Sequence, residues 1–254
     1  MRLENTSAIV TGAASGLGAA TARRLAAAGA RVVVADLNED AGEAMASEID
    51  GAFVATDVTK EGDVSAAVTV ASEMAELRAL VNCAGIGSVG RTINRDGTPH
   101  DLGYFAGVLA VNLTGTFNCI RLAAAAMAAL EPVDEQGSRG AIVNTASVAA
   151  FDGQIGQAAY SASKGGVAGM TLPIARDLSS VGVRVNTIAP GIIDTAMLAA
   201  LPDDAKASLG QQVLFPKRLG LPEEYAALAE FLLTHDYMNA ETVRMDGGIR
   251  MAPK

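Results

Sequence analysis

Short apolar runs rich in β-branched residues alternate along the chain with longer Ala-rich stretches. The short runs are typical of strands, whereas the Ala-rich stretches repeat their apolar positions at helical spacing. Strands are predicted at residues 7–11, 31–35, 52–56, 79–82, 140–145, 184–188 and 242–245. Helices are predicted near residues 16–28, 39–49, 60–76, 104–130, 157–181 and 223–234.

Regular alternation of strands and helices predicts parallel strands joined by right-handed crossovers. Near-continuous apolar strands such as Val32-Val33-Val34 indicate a sheet covered on both faces. The expected fold is therefore α/β, a doubly wound parallel sheet of about seven strands with helices on both faces. No linker or repeat divides residues 1–254, so one domain is expected, interrupted by irregular stretches at 88–102 and 201–222.

Composition narrows the classes of partner. The 254 residues are half hydrophobic and carry a net charge of −9, which disfavours non-specific binding to nucleic acid or to anionic membranes. The two cysteines provide no disulfide framework, and the two histidines are too few and too isolated for a zinc site. Since strand-like sequence begins at Ser7, we expect no targeting segment. The apolar stretch 119–130 is short and carries Arg121, so we expect a core or interface helix rather than a membrane span, and a reducing, cytoplasmic setting.

A glycine-rich turn, Thr11-Gly12-Ala13-Ala14-Ser15-Gly16-Leu17-Gly18, joins the first predicted strand to the first predicted helix. Glycines let the backbone turn sharply and approach a pyrophosphate, and the helix N-terminus presents free N–H groups to phosphates. The spacing is G-x-x-x-G-x-G rather than the commoner G-x-G-x-x-G. This strand–turn–helix context predicts a dinucleotide site formed by Gly12, Ser15, Gly16, Leu17 and Gly18.

An acidic residue, Asp36, ends the second predicted strand. Its carboxylate can accept hydrogen bonds from ribose hydroxyls and would repel a 2′-phosphate, so NAD is favoured over NADP. Alternatively, Asp36 caps the helix that follows Leu37. Asp57 and Val58 follow the third strand and could border the adenine, although Asp57 could equally cap the helix that starts near Lys60.

The segment Asn82-Cys83-Ala84-Gly85 ends the fourth predicted strand. It lies beside the point where such sheets reverse strand order and bind ligands. Its small residues permit close approach of a cofactor, so we predict cofactor contacts for Asn82, Ala84 and Gly85. A simple turn from strand to loop is the alternative.

Tyr160 and Lys164 are four residues apart and share one face of a predicted helix. A free phenol titrates near pH ~10, and a neighbouring ammonium lowers that pKa. Ser147, upstream of the pair, adds a hydroxyl that can hold a substrate oxygen. These three residues predict an acid–base device beside the cofactor, and a solvated surface pair is the alternative.

In their order and spacing, these residues resemble the short-chain dehydrogenase/reductase family across essentially the whole chain. The resemblance rests on the TGxxxGxG turn, the NxAG segment, Asn112, Ser147, the YxxxK pair and Pro190-Gly191. Within the family, residues 144–151, 153–166 and 169–178 and the insertion at 88–102 are most similar to the type-2 3-hydroxyacyl-CoA dehydrogenases, also called type-10 17β-hydroxysteroid dehydrogenases. The resemblance implies a Rossmann-type fold.

The resemblance also implies roles for individual residues. Tyr160 would be the acid/base, Lys164 would bind the nicotinamide ribose and lower the pKa of Tyr160, and Ser147 would hold the reacting oxygen. Asn112 would hold a water that relays protons toward Lys164, unless it fills a local helix irregularity. Further cofactor contacts are implied for Pro190, Gly191 and Thr195.

Substrate contacts are less specific. The candidates are Gln154 and an apolar loop within residues 194–222 that carries Leu198, Leu201, Leu209 and Phe215. Each of these residues could equally serve plain packing.

The implied activity is NAD-dependent oxidation of 3-hydroxyacyl-CoA in fatty acid metabolism, with hydroxysteroids and other secondary alcohols as further substrates. Two alternatives are an acetoacetyl-CoA or 3-oxoacyl carrier-protein reductase, and a non-catalytic dinucleotide-binding scaffold. A homotetramer is also implied, because the family pairs its two long helices and its last strand across two-fold axes.

Overall fold

Seven strands form one parallel sheet in the order β3-β2-β1-β4-β5-β6-β7. The computed structural model describes residues 1–195 and 203–253. The strands are β1 (Ser7–Thr11), β2 (Arg31–Asp36), β3 (Ala52–Ala55), β4 (Leu77–Asn82), β5 (Gly140–Thr145), β6 (Val183–Pro190) and β7 (Thr242–Met245). The predicted fold is confirmed, with β4 starting two residues earlier than predicted and β6 two residues longer at its end.

Helices cover both faces of this sheet. They are α1 (Gly16–Ala27), α2 (Glu39–Glu48), α3 (Glu61–Met74), α4 (Leu102–Leu109), α5 (Thr116–Ala128), α6 (Ala158–Ser179), α7 (Asp203–Gln212) and α8 (Pro222–Thr234). A π-helical turn, Ala110–Gly115, and a 3₁₀ turn, Val148–Ala150, complete the elements. The helix α7 corrects the expectation that 201–222 is irregular throughout.

Alternation along β1 separates two apolar cores. Ala8 and Val10 pack on the face covered by α1 and α8, in a cluster that includes Leu25 and Leu232. Ile9 points to the opposite face, which α3 and α5 cover. Because side chains alternate along a strand, one apolar run supplies both cores.

The predicted helix at 104–130 is divided by its π-helical turn. Directly after that turn, Thr116 Oγ1 donates a buried hydrogen bond to the Asn112 carbonyl at 2.8 Å. Gly115 allows the turn to pack closely, since a Cβ there would lie 2.6 Å from Val58 Cγ2. The sequence stays rich in apolar residues on both sides of the turn, and a single-turn π-helical bulge has no composition of its own, so the pattern predicted one continuous helix.

The continuous helical stretch Leu102–Ala128 is long and apolar enough to cross a membrane, judged by length and composition alone. Half of its most apolar 18-residue window is buried inside the fold. Core helices of folded domains pass the same test, so this property is weak evidence for a membrane span.

Candidate active site

A cavity of about 550 Å³ opens at the carboxyl ends of the strands, across the point where strand order reverses between β1 and β4. Such crevices are where open α/β sheets bind ligands. Predicted residues that line it are Gly12, Ser15, Gly16, Leu17, Gly18, Asp36, Asp57, Val58, Ala84, Gly85, Ser147, Gln154, Tyr160, Lys164, Pro190, Gly191 and Thr195. Residues from seven separate segments of the chain therefore meet in one place.

The glycine turn is built for close approach. Gly12 has a φ of +64°, and a Cβ there would lie 2.8 Å from the Ala84 backbone nitrogen. A Cβ at Gly18 would lie 2.1 Å from the Gly12 carbonyl oxygen. Ser15 is the N-cap of α1, but its side chain makes no capping hydrogen bond. The turn therefore leaves N–H groups at the start of α1 open to an anion, as a dinucleotide pyrophosphate requires.

The Asp36 carboxylate faces this turn. The Ala14 N–H donates to its Oδ2 at 2.9 Å, and the Asn38 N–H donates to its Oδ1 at 3.0 Å. Asn38, not Asp36, caps α2, because the Ala41 N–H donates to Asn38 Oδ1. The capping alternative for Asp36 is therefore wrong, and its carboxylate lies on the cavity wall with lone pairs left for ribose hydroxyls.

Asp57 lies on the same wall in a local turn. Its Oδ1 accepts hydrogen bonds from the Thr59 hydroxyl at 2.7 Å and from the Thr59 N–H at 3.0 Å. Those bonds, helped by nearby Lys60, lower the pKa of the Asp57 carboxyl. The N-cap of α3 is Lys60, so Asp57 does not cap that helix, and it stays ionised beside the cavity.

The predicted acid–base residues converge at the other end of the cavity. Tyr160 and Lys164 share one face of α6, and Ser147 follows β5 as the N-cap of the 3₁₀ turn. Lys164 Nζ donates to the Thr145 carbonyl at 2.8 Å and lies 5.9 Å from the centroid of the Tyr160 ring. Since β5 is three strand positions from β2, this end lies about 14 Å from Asp36.

Burial changes the acid–base picture that the resemblance implies. The pKa of the Tyr160 phenol is raised, not lowered, because burial outweighs the lowering effect of the nearby Ser147 hydroxyl. Burial also lowers the pKa of Lys164 from 10.5 to about 8. The protein alone therefore favours a neutral phenol beside a lysine that is still protonated at pH 7.

Asn112 positions a neighbour and does not itself line the cavity. Its Oδ1 accepts from the Ile86 N–H at 2.8 Å, and its Nδ2 donates to the Ile86 carbonyl at 3.0 Å and to Ser163 Oγ at 3.1 Å. A Cβ on Gly85 would lie 3.1 Å from Asn112 Oδ1 and 3.4 Å from Lys164 Nζ. Gly85 is thus the point where Asn112 and Lys164 approach each other.

Asn82 does not line the cavity, so its contact with a cofactor stays a prediction. It is buried, and its Nδ2 donates to Asn144 Oδ1 at 2.9 Å between β4 and β5. The cavity instead meets the next residues of the segment, including Ala84 and Gly85. Successive side chains of a strand point to opposite faces of the sheet, so neighbouring residues of this segment have different surroundings. The Asn82 side chain is hydrogen-bonded to Asn144 and does not line the cavity.

The loop after β6 closes the cavity on a third side. The Gly191 N–H donates to the Met245 carbonyl at 2.9 Å, and a Cβ at Gly191 would lie 2.8 Å from the Asp246 Cα. Thr195 packs against the glycine turn, since a Cβ at Gly16 would lie 3.6 Å from Thr195 Cβ. The segment 190–195 therefore lines the cavity and contacts the glycine turn at its Thr195 end.

The predicted substrate residues divide three ways. Gln154 and Leu209 line the cavity, whereas Phe215 is exposed and does not. Leu198 and Leu201 lie outside the described residues. Sequence reasoning missed other lining residues, among them Leu37, Ile86, Gln157, Ile192 and Met251. The position of Leu37 directly after Asp36 was a usable signal that it lines the cavity, but nothing in the sequence indicated the same for Met251.

The sequence is similar to a known protein family and to named members of it. The family model described as "short chain dehydrogenase" matches residues 6–206. The chain is 52% identical to "3-hydroxyacyl-CoA dehydrogenase type-2" of Bos taurus, over 97% of this chain and 95% of that protein. It is 52% identical to the protein of the same name from Drosophila melanogaster, over 99% of this chain and 100% of that protein.

A solved structure agrees with these relatives. The crystal structure of 3-hydroxyacyl-CoA dehydrogenase type-2 from Mycobacterium avium superimposes with a TM-score of 0.95 at 49% sequence identity. The alignment covers 100% of this chain and 99% of that chain. The similarity therefore extends over every element that builds the cavity.

Proposed function

The chain belongs to the short-chain dehydrogenase family and is an oxidoreductase, and from that premise we propose that it oxidises 3-hydroxyacyl-CoA to 3-oxoacyl-CoA, reversibly and with NAD. The observation that carries the proposal is one cavity that joins Ser147, Tyr160 and Lys164 to the Asp36 carboxylate. The names of relatives that are 52% identical support this substrate class. Hydroxysteroids and other secondary alcohols are further candidate substrates.

NAD suits the residues present. The glycine turn has no room for a Cβ at Gly12 or Gly18 and offers its N–H groups to a pyrophosphate. Asp36 would accept bonds from the adenosine ribose, Asp57 and Val58 would border the adenine, and Thr195 would bond the carboxamide. When bound, NAD supplies the acceptor for the hydride that leaves the substrate carbon.

Side chains of the protein, rather than the cofactor, would carry out the proton transfer. Ser147 Oγ would hold the substrate hydroxyl while Tyr160 Oη takes its proton, in the step where the carbonyl forms. Burial favours the neutral phenol, so the phenolate that accepts this proton would need the ammonium of Lys164, which is protonated at pH 7, to stabilise it. Asn112 and Lys164 meet at Gly85, where a water held by Asn112 would pass protons onward.

A reductase that uses NADPH is the main enzymatic rival. Asp36 opposes it, because a carboxylate beside the ribose repels a 2′-phosphate. A non-catalytic scaffold is opposed by the presence of all four residues of the proposed acid–base machinery. A preference for NADPH in initial rates would favour the reductase over the dehydrogenase.

The test of the function is a kinetic panel. Purified protein is assayed with NAD or NADP and with 3-hydroxyacyl-CoAs from C4 to C16, secondary alcohols and hydroxysteroids. We expect the highest kcat/KM with NAD and a 3-hydroxyacyl-CoA. NAD binding without turnover of any panel member would refute the proposal.

We also propose a cytoplasmic homotetramer. The helices α4, α5 and α6 expose large apolar side chains, which monomers normally bury or pair: Leu102, Tyr104, Phe117 and Leu172. Pairing these helices across two-fold axes would cover them. Sedimentation velocity should therefore show a tetramer, and a stable monomer at micromolar concentration would contradict this assembly.

A further inference from the structure

The chain turns back after β7 and places its C-terminal segment (residues 246–253) against the cavity. The turn runs through Gly247 and Gly248, whose φ values are +58° and +82°. Only glycine adopts such angles readily, so the reversal is encoded locally. Met251, near the end of this segment, lines the cavity.

Two hydrogen bonds place Met251 at the catalytic end of the cavity. Gln154 Nε2 donates to the Ala252 carbonyl at 2.9 Å, and the Ile155 N–H donates to the Pro253 carbonyl at 3.0 Å. Both donors belong to the loop between Ser147 and Tyr160. Met251 therefore lies near the reacting groups and away from the adenosine end at Asp36.

An ion network holds the start of the C-terminal segment. Arg244 Nη2 pairs with Asp152 Oδ2 at 2.7 Å, and Arg244 Nε pairs with Asp246 Oδ2 at 2.8 Å. Arg244 Nη2 also donates to the Ile249 carbonyl at 3.1 Å. Because Arg244 is largely buried and uses several donors at once, it fixes geometry better than an exposed pair would.

The same turn supports the apolar wall from α7. The Phe215 N–H donates to the Gly247 carbonyl at 3.1 Å, and a Cβ at Gly247 would lie 2.4 Å from Val213 Cγ1. Val213 directly follows α7, which carries Leu209 on the cavity wall. Met251 and Leu209 thus reach one cavity from two segments joined at Gly247.

We propose that Met251 sets the acyl-chain length that the enzyme accepts, and that Asp152 and Arg244 are positioning residues for it. The inference rests on the proposed function, since it concerns which 3-hydroxyacyl-CoAs the same site accepts. Methionine is apolar, unbranched and adaptable, as expected of a side chain that bounds an acyl pocket.

The test compares Met251→Ala and Met251→Phe with wild type on 3-hydroxyacyl-CoAs from C4 to C16. We expect the ratio of kcat/KM for C12 to that for C4 to rise about tenfold in Met251→Ala and to fall about tenfold in Met251→Phe. The NAD Kd should change less than about threefold, since Met251 lies away from the ribose and adenine contacts. Met74→Ala, a truncation on α3 away from the cavity, is the control and should leave the ratio unchanged.

A further variant, Asp152→Asn, tests the positioning residues. We expect it to shift the C12 to C4 ratio in the same direction as Met251→Ala, by about threefold, without a matching loss of NAD affinity. A variant that merely destabilised the fold would lower both activities together and leave their ratio unmoved.

An unchanged ratio in both Met251 variants overturns the inference while leaving the proposed function intact. If wild type oxidises no 3-hydroxyacyl-CoA, the proposed function fails, and the same variants are then compared on 2-alkanols of graded length. A chain-length profile unmoved in that series also overturns the role of Met251.

Discussion

The two ends of the cavity are constructed differently. The adenosine end comes from β1, β2, β3 and the turns after them, so its residues lie within residues 12–58. The catalytic end gathers residues 84–86, 147–164, 190–195, Leu209 and Met251. One end is a local product of three consecutive strands, whereas the other depends on segments that are far apart in the chain.

The chemistry follows this difference. The adenosine end uses backbone N–H groups and the carboxylates of Asp36 and Asp57, and hydrogen bonds from Thr59 lower the pKa of Asp57. At the catalytic end burial dominates, since it raises the pKa of Tyr160 and lowers that of Lys164. We therefore expect binding to rely on partly buried local groups, and proton transfer on groups that the surrounding segments desolvate.

The largest effect should come from Tyr160→Phe, which removes one hydroxyl from the catalytic end. We expect kcat to fall about 10³-fold while the NAD Kd changes less than about threefold, because acid–base groups contribute that scale to rate and little to cofactor binding. The measurements are steady-state kinetics and a fluorescence titration with NAD. Near-wild-type turnover would refute the acid–base assignment.

Tyr225→Phe is a matched control for that variant. Tyr225 is fully buried on α8, and its hydroxyl lies 2.7 Å from Thr145 Oγ1, but it does not line the cavity. Loss of this hydroxyl should reduce stability and leave kcat within about threefold of wild type. A thousandfold loss there would show that any buried tyrosine near β5 gives the same result.

An intermediate effect is expected from Asp36→Ala at the adenosine end. The ratio of kcat/KM with NAD to that with NADP should fall about a hundredfold, because the variant loses charged hydrogen bonds to the ribose and no longer repels a 2′-phosphate. The kcat with saturating NAD should change little. Initial rates with both cofactors measure the ratio.

Asp40→Ala serves as the charge-matched control, since Asp40 is an exposed carboxylate on α2 outside the cavity walls. It changes the net charge by the same amount and should leave the cofactor ratio as in wild type. Equal ratios in wild type and Asp36→Ala would remove Asp36 from the ribose site.

The smallest effect concerns the burial of Lys164. With a folded pKa of about 8 and an ordinary value of 10.5, the unfolded chain binds more protons at this lysine between those pH values. Wild-type stability should therefore rise with pH relative to Lys164→Met, by about 2 kcal/mol between pH 8 and 10. Urea unfolding at several pH values measures this difference.

The slope with pH is the informative quantity, because Lys164→Met also leaves the Thr145 carbonyl without its donor at every pH. Lys217→Met is the control: Lys217 is exposed and likewise donates to a backbone carbonyl, that of Gln211. It should show no such slope. A flat difference for Lys164→Met would mean that burial does not lower the pKa of this lysine in solution.

Most of the adenosine end could be predicted from the sequence. The strand–turn–helix order, the glycine spacing and the position of Asp36 at the end of β2 are local features, and they keep their meaning once the strands are parallel. The same holds for Tyr160 and Lys164, which one helix places on one face.

Other features were decided by contacts between distant segments. Asn112 lies in the π-helical turn and accepts a hydrogen bond from the Ile86 backbone, and Asn82 donates one to Asn144 on the neighbouring strand. Neither hydrogen bond can be read from the spacing of apolar residues in the sequence. Helix α7 was missed because its sequence is polar and contains Gly210, so packing rather than patterning defines it.

The sequence thus determined the parallel α/β sheet, the glycine-rich turn after β1 and the placing of Tyr160 and Lys164 on one helix face, because strand alternation, helical spacing and glycine conformation act over a few residues. Tertiary structure alone decided how deeply Tyr160 and Lys164 are buried, and hence the directions of their pKa shifts. It also decided that Met251 lines the cavity, since the packing of residues 246–253 against the loop at Gln154 brings it there. Desolvation and cavity shape are properties of the assembled segments, and no single segment encodes them.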